Sequence, residues 1–168
     1  VQVTTAGGLH EAVRDAWAVV PAPPAEDLRY VEWGWGEEAA RALVGVPPTE
    51  VDLDSRGFRA ATPLLDLPPR AAAAYLGTYL MSLLQGLDRQ LATGLFEDVL
   101  SRAHTLTCLT LSSFWEQVIP LLPVRCRDVL ADVVAYLASV RTALALTDEQ
   151  VDAMTALASN ERSGRDRR

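Results

Sequence analysis

Lysine is missing altogether: all 15 basic residues are arginine, and with 22 aspartates and glutamates the net charge is −7. A field of that sign repels phosphate backbones, so nucleic acid is not an expected partner. The lack of lysine, beside abundant alanine, leucine and valine, matches the output of a GC-rich bacterial genome, and codon bias accounts for it. Only two cysteines occur, Cys108 and Cys126, each among apolar neighbours. No disulfide framework is indicated, and both read as small hydrophobes of a reducing cytoplasm. Residues 1–9 show no basic region followed by an apolar run, so no secretion signal is expected. Long hydrophobic runs are also lacking. Gln85, Asp88, Asp132 and Arg141 interrupt the apolar stretches before they reach the roughly 20 residues of a membrane span.

The motifs of common chemistries are equally scarce. Gly7, Gly8, Gly34, Gly36 and Gly94 fit neither the Walker pattern nor the dinucleotide fingerprint, which removes sequence support for nucleotide binding. No glycine-flanked serine marks a nucleophile elbow. The soft or imidazole ligands are His10, His104, Cys108 and Cys126, of which only His104 and Cys108 stand close, four residues apart. A zinc site needs a second such pair, and a buried structural cysteine is favoured over a cysteine nucleophile served by His104. Glu37, Glu38, Asp52 and Asp54 could converge as acids, but at helix starts and turns such groups usually satisfy backbone donors. No metal and no cofactor is expected.

What is present is helical periodicity. Leu9, Ala12, Val13, Ala16, Trp17 and Val20 share one face of a first helix that Pro21 closes. A proline-rich connector over 21–26 leads to Tyr30, Val31, Trp33 and Trp35, which with two glycines predict a tight aromatic loop or short strand. Glu37 and Glu38 open a short helix through Val44, with Gly45 as a left-handed cap. Residues 49–62 read as irregular or short helical structure.

Pro68 and Pro69 start the clearest helix, striped by Ala72, Tyr75, Leu76, Tyr79, Leu80, Leu83, Leu84 and Leu87. Gly86 and Gly94 are expected to bracket a break, with a short helix over 95–103 and a β-favouring stretch over 106–111. Ser113 with Glu116, and Thr147 with Gln150, have capping-box spacing for two further helices. Between them a long helix carries Cys126, Val129, Leu130, Val133, Val134, Leu137, Val140 and Leu144 on one face. The expected architecture is all-α, a single-domain bundle of about six or seven helices over 1–158 with a short aromatic loop in its N-terminal third. A polar, arginine-rich tail over 159–168 completes it.

Two blocks carry a family resemblance: Leu67, Pro69, Ala71, Tyr75, Leu76, Tyr79, Leu80 and Leu84, then Leu109, Thr110, Phe114 and the helix over 129–137. In these the chain resembles an uncharacterised bacterial family of small helical proteins. It departs from that pattern at Ala72, at Gly77 and at Leu111 or Ser112. The resemblance implies an all-helical fold and transfers no activity or site residue.

The expected function is non-enzymatic protein binding by an acidic cytoplasmic module, of immunity type or a regulatory inhibitor. Tyr30, Glu32, Trp33, Trp35, Glu37 and Glu38 are the candidate partner contacts, because large rings anchor interfaces and acids steer basic partners. The alternatives are a structural or assembly subunit acting as a homodimer, and an enzyme of unknown class.

Overall fold

The computed structural model describes residues 5–32, 42–59, 64–94 and 99–165, with the main chain alone at 29–32, 99–102 and 160–165. Among these residues there are seven α-helices and no strand, as an all-α bundle requires. They are α1 (Ala6–Trp17), α2 (Arg56–Arg59), α3 (Pro69–Thr93), α4 (Val99–Thr110), α5 (Ser112–Val118), α6 (Val124–Ser139) and α7 (Asp148–Arg165). Short 3-10 segments cover Ala25–Glu32, Leu64–Asp66 and Ile119–Leu121.

Helix α3 is the axis of the molecule, packing against α1, α4 and α5, while α1 also meets α6 and α7 lies on α4 and α6. Its first turn is pre-set by Pro68 and Pro69, and Gly94 ends it at φ 70°, donating its N–H to the Gln90 carbonyl at 2.8 Å. Every residue from Ala71 through Met81 is buried. Two polar side chains among them reach carbonyls outside the helix. The Tyr75 hydroxyl donates to Leu43 and Val46, and the Thr78 hydroxyl to Pro48 at 2.6 Å. Farther along, the Gln90 amide donates to Ala143 at 2.7 Å. Buried donors so satisfied tie the irregular segments around 43–48 and 143 to the central helix.

The contact between α1 and α3 is unusually close. Trp17 is completely buried, its indole N–H donates to the Ala73 carbonyl at 3.3 Å, and its ring lies over Gly77. A β-carbon at Gly77 would stand only 2.3 Å from Trp17 Cγ. Glycine is therefore required by proximity here, although it weakens a helix interior.

Several local expectations change. Helix α3 runs unbroken through Gly86, so only Gly94 acts as a stop. Helix α4 extends to Thr110 through the stretch expected to favour strand. There, the Thr107 and Thr110 hydroxyls donate to carbonyls of the preceding turn at 2.8 Å, and Leu106, Cys108 and Leu109 are buried, so packing overrides the β preference. The Ser113–Glu116 box is not used. Helix α5 starts two residues early, capped at Leu111, and the N–H groups of Phe114 and Trp115 donate to the Leu111 carbonyl instead. Thr147 and Gln150 do form the reciprocal box, at 3.0 and 3.2 Å. Helix α6 stops at Ser139, and turns follow in which Ala145 takes φ 53°. The main chain of α7 is helical to Arg165, seven residues into the segment expected to be a polar tail.

Gly77→Ala should destabilise the protein by about 1–3 kcal/mol, because neither the indole nor the helix axis can move freely in a packed core. Gly7→Ala, where a β-carbon meets nothing within 4 Å, should stay within about 0.5 kcal/mol of the parent or exceed it. Urea unfolding of the two variants checks the contrast, and equal midpoints would remove the indole fit as the cause.

Candidate functional site

Two proline-rich joints meet at the N-terminal end of α3. The connector after α1 supplies Val20, Pro21, Ala22, Pro23 and Pro24, and the joint between α5 and α6 supplies Leu121, Leu122 and Pro123. Proline holds such a wall with a fixed φ and offers no donor, so the surface is stiff and largely apolar. Ala73 and Ala74 of α3 form another wall, and together these residues enclose about 330 Å³. That volume lies at the lower end of the range for ligand-holding clefts.

Ala73 is placed by the interaction that closes the core, since its carbonyl is the acceptor for Trp17. The apolar character continues beyond the cavity. Val19, beside Val20, is 70% exposed; Leu121 is 49% exposed; Val124, beside Pro123, is 55% exposed. A smaller hollow of about 140 Å³ lies between Leu64, Leu67 and Phe114, and its walls are mostly apolar.

Two charged residues line the larger pocket, Asp27 and Arg70. Asp27 sits in the 3-10 segment directly after Pro24, whose carbonyl accepts its N–H at 3.0 Å. Its side chain is half-buried, and Oδ2 is buried with no hydrogen-bond partner. Arg70 is exposed on the first turn of α3. The site thus combines aliphatic walls, one carboxylate with an unsatisfied oxygen, and one solvated cation.

No family model, no curated protein and no solved structure matches this chain. Among the described residues no helix is long and apolar enough to cross a membrane.

Of the partner contacts expected from sequence, Tyr30 and Glu32 have their main chain in the 3-10 segment that carries Asp27, where a loop or strand was anticipated. Their side chains, and all of Trp33, Trp35, Glu37 and Glu38, lie outside the described residues. The acidic turn is described: Asp52 Oδ1 accepts the Asp54 N–H at 3.0 Å, and Asp54 pairs with Arg59 at 3.2 Å and Arg89 at 3.3 Å. The hydrogen-bonded Arg89 guanidinium, aided by Arg59, holds the Asp54 carboxyl below its ordinary pKa. Among the described residues no three His, Cys, Asp or Glu side chains come together as a metal cage would require.

His104 is exposed while Cys108 is buried. Burial pushes the Cys108 thiol up to about 12, and the Cys126 thiol, which donates to the Ala16 carbonyl at 3.2 Å, up to about 11. A nucleophilic thiolate needs the opposite shift. The pocket itself is not evident from sequence, because 21–26 reads only as a connector and the joint that supplies Leu121, Leu122 and Pro123 lies about a hundred residues away in the chain. The available signal was the recurrence of prolines beside solvent-facing apolar residues.

Both thiols should resist alkylation by iodoacetamide at pH 8 in the native state and react fully once the chain is unfolded, as mass spectrometry would record. Their raised pKa values also have a defined sign. Folding stability from these groups is whole below the ordinary thiol pKa of 9.0 and falls as pH rises from there towards about 11 and 12. Urea midpoints at pH 7, 9 and 10.5 should therefore be level over the first interval and lower at the last. Rapid native alkylation would show a thiol far more accessible than this packing allows.

Proposed function

We propose that the chain is a non-enzymatic, cytoplasmic protein-binding module of the immunity or regulatory kind, which docks its partner on the apolar face around the proline-walled pocket. The observation that carries this reading is a concavity bounded by two stiff joints, with Leu121 exposed on its wall and the exposed Val19 and Val124 next in the chain to its lining residues Val20 and Pro123. Exposed apolar side chains are ordinary when scattered, but a cluster beside a preformed hollow supplies the buried centre that a stable interface needs. A rigid wall also loses little conformational entropy on binding.

The charge of the chain supports a basic partner, since a net −7 speeds encounter with a positive surface. Tyr30, Glu32, Trp33, Trp35, Glu37 and Glu38, which follow Asp27 in the chain, are proposed as further partner contacts of aromatic and acidic character. The described groups most suited to chemistry are engaged structurally, with the two thiols held protonated and Asp54 in ion pairs. Unpaired buried cysteines fit a reducing compartment.

Leu121→Asp with Val124→Asp places charge on the rim without touching the core. Used as bait in a native lysate, the parent chain should retain one protein in near-stoichiometric amount, and the double variant should lose it by about tenfold or more at an unchanged melting temperature. Equal retention by both baits would overturn the assignment of this face. A dimeric mass in solution that the same substitutions reduce to a monomer would replace the reading with self-assembly.

A further inference from the structure

We infer that the residue which a partner lodges in the proline-walled pocket is a lysine or an arginine, its head paired with the Asp27 carboxylate; this rests on the docking reading above. The pocket has two chemical parts, and such a side chain has the same two. Val20, Pro21, Pro23, Ala74 and Leu122 offer an aliphatic lining, which suits a stem of methylene groups. Asp27 offers a negative charge on that lining, with one oxygen already withdrawn from water and given no donor in exchange. Buried polar oxygens are nearly always hydrogen-bonded, so the unpartnered Oδ2 leaves the charge of the carboxylate without an internal donor to offset it, and a cation entering the cavity that Asp27 lines is favoured.

The other occupants fit less well. A wholly apolar side chain would strip the remaining water from the carboxylate and return nothing, which works against the gain from its own burial. An acidic side chain would meet both Asp27 and the net negative field of the chain. Arg70 is the remaining charge on the pocket. Among the described residues it forms no ion pair with Asp27, and it is exposed, so solvent and salt screen its repulsion of an incoming cation. A solvated guanidinium of this kind can still donate to a main-chain carbonyl, a role that requires no second charge in the pocket.

The test uses three capped amino acids as probes of the whole chain: the N-acetyl amides of arginine, citrulline and norleucine. Citrulline keeps the planar head of arginine and removes its charge. Amide shifts of Val20, Ala22, Asp27, Ala74 and Leu122 in two-dimensional NMR report occupancy. The arginine probe should bind about tenfold more tightly than citrulline, the change expected of one charge-assisted hydrogen bond. Asp27→Asn should lower arginine to the citrulline level and leave norleucine unchanged, and added salt should weaken the arginine probe alone. The comparison of arginine with citrulline on the unsubstituted protein stands even if the variant fails to fold. Equal binding of all three probes at these amides would overturn the cation preference and leave the docking face intact. No shift at these amides with any probe would overturn the docking face itself.

Discussion

The Trp17 indole lies against the main chain of α3 at Gly77, and the arrangement of the bundle depends on that fit. A large aromatic ring can approach a helix axis so closely only where a side chain is missing, and the indole N–H then finds a carbonyl of the same helix. The contact brings the end of α1 to the start of α3. From there the chain must turn through 18–24 against the first turns of α3, which sets one wall of the pocket. The same joint places α1 over α6, where the Cys126 thiol meets the Ala16 carbonyl.

Around this contact the polar residues of α3 act as ties. Tyr75, Thr78 and Gln90 would each be a liability in a buried helix, since an unsatisfied donor in the core costs about 1–3 kcal/mol. Each instead satisfies a carbonyl in an irregular segment, at 43–48 or at 143. Regular helix and irregular joint therefore stabilise one another. The proline joints need no such ties, because proline has no donor to satisfy, and that leaves their surface free to be apolar and solvent-facing. The proposed docking face follows from this division of labour.

Much of the helical content was legible because it rests on local physics. The stripe from Ala72 to Leu87, the paired prolines that begin α3, the left-handed conformation of Gly45, the left-handed cap at Gly94, and the Thr147–Gln150 box all depend on residues a few positions apart. Where two local signals competed, spacing was a weaker guide. Ser113 and Glu116 have the same separation as Thr147 and Gln150, yet the Leu111 carbonyl serves as the start of α5. Residues 106–111 have strand-favouring chemistry, but Leu106, Cys108 and Leu109 are buried on one helical face and the threonines bond within their own helix. The pocket was illegible for a related reason: Asp27, Arg70 and Leu122 are distant in the chain, and none is unusual where it stands.

Sequence alone determined that this chain would be helical, acidic and built on one long apolar helix, because periodicity, caps and net charge are properties of neighbouring residues or of simple sums. Tertiary structure decided why position 77 must be glycine, that the Cys126 thiol meets the Ala16 carbonyl, and that two unremarkable proline joints share a wall with a carboxylate. Those outcomes depend on distances between residues dozens of positions apart, and such distances exist only once the helices have packed.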